Sequence, residues 1–259
     1  PTPAPAAPAP APTSTPTLGA SGQRKVTLVS LGGTATDPLL RRIVTELDDA
    51  VDAVEAFWEA DWPHDIVIVA AGSDEEFRAQ AAGVADTSHI AAVTVADSVN
   101  AHEHTASGQR IVFAPAAVSM SPAALHIVLT HELFHYAALA WTAADAPRWL
   151  TEGVADYVAR PATSMASSLQ RGRPLPDGLP ADGDFAVPEP GLSLAYDRAW
   201  LFARYLADRY GPQGLRAFYL RAAGPDNIDA DVALQEVSGQ DPAEVLAGWR
   251  EWLTRNGLA

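Results

Sequence analysis

The stretch HELFHYAALAWTAADAPRWLTEGVADY, residues 131–157, constrains this chain more than any other part of it. An α-helix turns about 100° per residue, so side chains four apart stack on one face. His131 and His135 can therefore present two imidazoles to one ion at about 2.1 Å. Glu132 lies on the same broad face. Two neutral ligands and a carboxylate held off the metal are what metal-assisted hydrolysis requires: the ion lowers the pKa of a water, and the carboxylate takes its proton. A tetrahedral site still needs a third protein ligand. Glu152, seventeen residues past His135, is the candidate, because a turn over 141–146 returns the next helix antiparallel to the first. Gly153 beside it lets those two helices approach closely. Asp156, four residues after Glu152, is spaced to accept the outward ring N–H of a ligand histidine and fix its tautomer.

The rest of the composition narrows the chemistry. There is no cysteine, so thiol catalysis, disulfide frameworks and cysteine-based zinc sites are excluded, and His, Asp or Glu must hold any metal. A formal charge of −15, with one lysine against sixteen arginines, gives no attraction to phosphate backbones, and no nucleic-acid partner is expected. No apolar run reaches the roughly 18 residues of a membrane span, so no transmembrane segment and a soluble chain are expected. The first 23 residues are almost entirely Pro, Ala, Thr, Ser and Gly, a composition with nothing to bury, and they read as a disordered tether. Such tethers join an export signal or membrane anchor to a domain outside the membrane. An extracellular or cell-envelope location with a leader or anchor upstream is therefore expected; a cytoplasmic protein with an ordinary tail is the other reading. A monomer is expected.

Two regions of different pattern follow the tether. Residues 24–120 contain short β-branched runs, KVTLVSLGG and DIVIVAAG, each closed by glycine, then IAAVTVA and RIVFAP. A helix entered at Asp37-Pro38 separates the first two, and a short helix follows Ser73. Residues 121–259 read as helices, with starts at Ser121-Pro122 and Asp241-Pro242 and several ends at glycine. The fold class expected is α+β: a small α/β layer with a mixed sheet, packed on a mostly helical, thermolysin-like half that carries the metal site. A Pro/Gly-rich stretch over 161–191 is too long for a simple connection and reads as a surface excursion or a lid.

HELFH followed by WLTEGVADY resembles the gluzincin metallopeptidases, the thermolysin-like and zinc-aminopeptidase group within the peptidase-MA-like proteins. The resemblance implies Zn2+ bound by His131, His135 and Glu152, Glu132 as catalytic base, and Asp156 in support of a ligand histidine. SLAYDRAWLFARYLADRYG looks like the aminopeptidase-group helix whose leading tyrosine stabilises the tetrahedral intermediate, and Tyr196 matches that tyrosine. Nothing matches the GxMEN segment by which aminopeptidases position a free amino terminus. In gluzincins an edge strand beside the zinc helix pairs with the extended substrate. Arg110, Ile111, Val112 and Phe113, in the last strand before that helix, are the candidates, with an ordinary internal strand as the other reading.

A zinc metallopeptidase acting on peptides or proteins, as an endopeptidase, is the function expected. An aminopeptidase and a non-catalytic, zinc-stabilised cell-surface binding module are the alternatives. His126 reads as a packing or surface histidine, His102 and His104 as loop residues facing solvent rather than ligands of a second ion, and His64 and His89 have no evident partner, while Tyr205 and Tyr210 read as packing residues. Leu133, Phe134, Trp149 and Leu150 read as the packing that holds the two ligand helices together.

Overall fold

The computed structural model describes residues 13–14, 18–19, 24–59, 61–81, 90–162, 176–188 and 190–258. Its first elements, in chain order, are β1 (Thr13–Ser14), β2 (Leu18–Gly19), β3 (Lys25–Ser30), α1 (Asp37–Trp58), β4 (Asp65–Ala70), α2 (Asp74–Gln80) and β5 (Ala92–Val95). There follow β6 (Ser98–Asn100), β7 (Thr105–Ser107), β8 (Arg110–Phe113), α3 (Pro122–Ala138) and α4 (Arg148–Ala159). The last helices are α5 (Gly191–Ala222), α6 (Ala230–Ser238) and α7 (Pro242–Arg255). The α+β class is as the sequence predicts.

Strand alternation builds the sheet. Val26, Leu28, Ile66, Ile68, Ile111 and Phe113 point to one face and are buried there, while Val69 and Val112 point to the other. The strand order is β1-β3-β4-β8-β5, with β2 also on β3. β3, β4 and β8 run parallel, and β5 is antiparallel to β8. Both short pairs described within the expected tether, β1 and β2, pair antiparallel with β3. The remainder of that stretch lies outside the described residues.

The parallel step from β3 to β4 needs a crossover, and α1 supplies it. Its stripe of Leu39, Ile43, Leu47, Val51 and Val54 recurs at helical spacing and is buried. α1 then bridges the sheet to the helical half: Trp58 meets Phe134 of α3 and Tyr219 of α5 edge-on, at 5.7 and 5.5 Å between ring centroids. One hydrophobic cluster consequently runs through both halves, from Val26 to Leu258. A smaller cluster around Phe77 of α2 covers the opposite face of the sheet.

Two expectations change. β8 is an internal strand, hydrogen-bonded to β4 on one side and β5 on the other. Ile111, Val112 and Phe113 are fully buried. Arg110 is tied to Asp97 at 2.9 Å and to the carbonyl oxygens of Gly108 and Gln80. The edge position anticipated for Arg110–Phe113 belongs to β5, which folds back antiparallel and ends the sheet beside α3. At Gly211 the helix end expected at a glycine becomes a break inside α5, where its φ of 79° is followed by Pro212. Among the described residues no helix is long and apolar enough to cross a membrane.

Candidate metal centre

α3 begins on Ser121, whose side chain accepts the Ala124 N–H, with Pro122 in its first turn. Leu125, Leu129, Leu133 and Phe134 are fully buried on its other faces. That packing fixes the rotation of α3 about its own axis and turns His131 and His135 toward a cleft. α4 is held by burial of Trp149 and Leu150, and the Trp149 N–H at its start donates to the Asp182 carboxylate at 3.0 Å. Gly153 faces α5, not α3: a Cβ there would come within 2.7 Å of the Ala199 carbonyl oxygen. The close approach expected between the two ligand helices is thus made between α4 and α5.

These elements bring the three sequence-predicted ligands together. Nε2 of His131 and Nε2 of His135 lie 3.1 Å apart, and Glu152 Oε2 lies 3.3 and 3.8 Å from them. A tetrahedral ion with bonds of about 2.1 Å has ligand–ligand edges of about 3.4 Å, so the three separations match those around one zinc. Their side chains keep 15, 21 and 19% exposure, all on the cleft side, which leaves a fourth position open. Among the described residues this is the one group of three His or carboxylate side chains able to share an ion.

Asp156 accepts from Nδ1 of His131 at 3.0 Å and directs Nε2 toward the other two ligands. Arg160 braces it, reaching Asp156 at 3.1 Å and Asp197 of α5 at 2.9 Å, while lying over the Trp200 ring. Burial opposes a proton on His131, but the hydrogen bonds and charges of Asp156 and Glu152 outweigh it and hold its pKa well above 6.5. Burial also pushes the Glu152 carboxyl up, and the two histidines more than reverse this, holding it far below the usual carboxylate range. The carboxylates of Glu152 and Asp156 thus favour positive charge at this point, a proton on His131 or a cation in its place.

Glu132 is 7% exposed and stands apart from the three-ligand cluster. The hydroxyl of Thr94, on β5, lies 2.8 Å from its carboxylate Oε2 and 2.9 Å from its backbone oxygen, sharing one proton between them. Tyr196 lines the same cleft, of about 460 Å³. Arg148 donates to its phenolic oxygen at 3.2 Å, and Phe185 packs edge-on against its ring at 5.0 Å. Burial and the Glu152 charge push the Tyr196 pKa up to about 12, so it is a proton donor at neutral pH. A second cavity of about 420 Å³, between α5 and α7, contains none of these groups.

The other described histidines stay away from the cluster. His126 sits 3.2 Å from Glu46, His64 and His102 are exposed, and His104 stacks on Trp141 at 3.7 Å. His89 lies outside the described residues. Thr94, Arg148, Asp182 and Phe185 are the neighbours that sequence reading missed. Alternation along IAAVTVA does put Ala92 and Thr94 on one face, but no local signal says that this face meets α3.

No family model and no curated protein matches the chain. Solved structures do match its fold. A mutant two-domain M1 zinc metallopeptidase bound to L-arginine aligns with a TM-score of 0.50 at 16% identity, covering 94% of this chain. M1 zinc metallopeptidases from Deinococcus radiodurans align at 0.52 and 0.51, with 15 and 17% identity, over 92 and 93% of it. The chain spans about half, 51%, of each of those chains. At these identities the likeness is one of fold, and the donor set described above is this chain's own.

Proposed function

We propose that the protein is a zinc-dependent peptidase that cuts within peptide chains at the cleft between β5, α3, α4 and α5. The observation that carries this is the convergence of His131, His135 and Glu152 beside an independently anchored Glu132, at the wall of an open cleft. Two imidazoles and one carboxylate with an open position suit zinc, and a bound zinc supplies Lewis acidity toward water and a carbonyl oxygen. Glu132 accepts the proton of the attacking water and returns it to the leaving amine. Thr94 holds its carboxylate in place for both transfers. Tyr196 donates its hydroxyl proton to the oxyanion. Because Arg148 already donates to the phenolic oxygen, the hydroxyl hydrogen is left free for the cleft. β5, at the sheet edge, offers the strand that an extended substrate can pair with.

Cleavage within chains is favoured by the carboxylate census. Among the described lining residues only Glu132 and Glu152 are acidic, and both are engaged, so neither is spare to hold a free amino terminus. An aminopeptidase is the second reading, favoured by the free amino acid in one structurally similar protein. Mass spectrometry of a peptide pool with free and blocked amino termini, incubated with zinc-loaded wild type and Glu132→Gln, separates them. Cuts inside blocked peptides by wild type alone support the endopeptidase. Cuts confined to free amino termini overturn it in favour of the aminopeptidase. No cut by either protein, with zinc bound, overturns the peptidase reading and leaves a zinc-stabilised binding module.

A further inference from the structure

Among the described residues that line the cleft, one is a permanent cation. Arg148, in the first turn of α4, is four residues before Glu152 and lies on the same side of the helix. It is exposed at the cleft wall and, among the described lining residues, is the sole Lys or Arg. Its guanidinium is held from two sides, by the 3.2 Å bond to Tyr196 and by packing over the Phe185 ring at 5.1 Å. Asp182 accepts the Trp149 N–H, and its charge and that of Glu152 act on Arg148 only from beyond ion-pair distance. No ion pair joins Arg148 to a described residue. Arg160 and Arg198, on either side, are paired with Asp156 and Asp197 and with Asp184.

A guanidinium has five donors in a planar fork, and one bond to Tyr196 leaves most of that fork unused. A carboxylate is the group that matches such a fork, through two parallel charge-assisted bonds. The lining beside it, Ala143, Ala144 and Ala146, is short and leaves room for a substrate residue.

We infer that Arg148 makes this cleft selective for a carboxylate next to the scissile bond, supplied by an Asp or Glu side chain or by the peptide's own C-terminus. This rests on the peptidase reading, and the C-terminal source would place the cut at the last peptide bond rather than within the chain. Arg148 thereby acts twice, fixing the Tyr196 hydroxyl and recognising substrate charge, and it ties the position of the oxyanion donor to the presence of the correct residue. Loss of one charged hydrogen bond of ordinary strength corresponds to about a tenfold or larger effect, which sets the size of the preference.

The test uses amino-terminally blocked peptides in matched sets, with Asp or Glu against Asn or Gln around one cut, each with a free or amidated C-terminus. Rates are measured for zinc-loaded wild type, Arg148→Gln and Arg148→Glu. Equilibrium binding of the same peptides to zinc-loaded Glu132→Gln gives a readout independent of turnover. We expect wild type to favour the carboxylate member about tenfold or more in both kcat/KM and binding. Arg148→Gln should bring the ratio near one, and Arg148→Glu should invert it. The arm that responds, side chain or C-terminus, identifies the source of the carboxylate. A wild type that cuts or binds acid and amide peptides equally overturns the inference without any variant. So does Arg148→Gln slowing every peptide alike with the preference unchanged, because the residue then serves Tyr196 only. Absence of both cleavage and binding overturns the peptidase reading itself, and this inference with it.

Discussion

The Thr94 hydroxyl lies 2.8 Å from the Glu132 carboxylate, joining the last strand of the sheet to the ligand helix. Glu132 is nearly buried, and a carboxylate out of water needs such a donor to keep one orientation. Thr94→Val keeps the shape of the side chain and removes the bond. We expect kcat to fall about 10- to 100-fold with KM, zinc content and Tm little changed, and Thr94→Ser to restore most of the rate. A fall in Tm matching the fall in rate would mean that Thr94 is structural only.

Asp156 is joined to the cluster through one ring nitrogen of His131, at 3.0 Å, and to the rest of the fold through Arg160. Asp156→Ala frees the His131 ring to rotate, while Arg160 keeps its bond to Asp197. Zinc affinity, measured by competition with a chelator, should drop about 10- to 100-fold, and the far-ultraviolet spectrum of the helices should persist. Affinity within twofold of wild type would remove Asp156 from the site.

Metal uptake should also be visible as protons. In the metal-free protein the His131 pKa is raised, so the stability its proton contributes is fully present below about pH 6.5 and is lost as pH climbs through the raised value. Zinc requires the neutral ring, so binding expels that proton. Glu152, held far down, is ionised across this range and releases none. Zinc added to weakly buffered protein near pH 7 should acidify an indicator, and affinity should rise with pH until the raised His131 value is passed. Uptake without acidification would show that His131 carries no proton.

The convergence of His131, His135 and Glu152 was legible because it is written in local spacing: HELFH on one helix and Glu152 four residues before Asp156 on the next need no tertiary information. The second helix, the amphipathic α1 and the Ser121-Pro122 start were equally local. What chain order conceals is strand order. Arg110–Phe113 is the last strand before α3 in sequence but sits inside the sheet, because β5 doubles back beside it. Thr94 and Arg148 were invisible for the same reason: each acts across 38 and 48 residues of chain, on Glu132 and Tyr196. Gly153 was read as a close-approach residue, and its partner helix had to come from the fold.

That close approach yields the last prediction. A methyl added at Gly153 would meet the carbonyl oxygen and carbon of Ala199 at 2.7 and 2.9 Å, which are backbone atoms within α5 and cannot swing aside. α4 must then move off α5. Glu152 and Asp156 ride on α4, and Tyr196 and Asp197 ride on α5, so the shift separates the third ligand and the Arg160 brace from their partners. Gly153→Ala should cost about 1–3 kcal/mol, read as a Tm several degrees lower, and should weaken zinc binding as well. Ala222, past the break at Gly211, is also buried but has no part in the ligand cluster, so Ala222→Gly provides a control that loosens the other segment of α5. It should lower Tm with zinc affinity retained. Equal loss of zinc affinity in both variants would show that the centre depends on overall stability rather than on the α4–α5 contact.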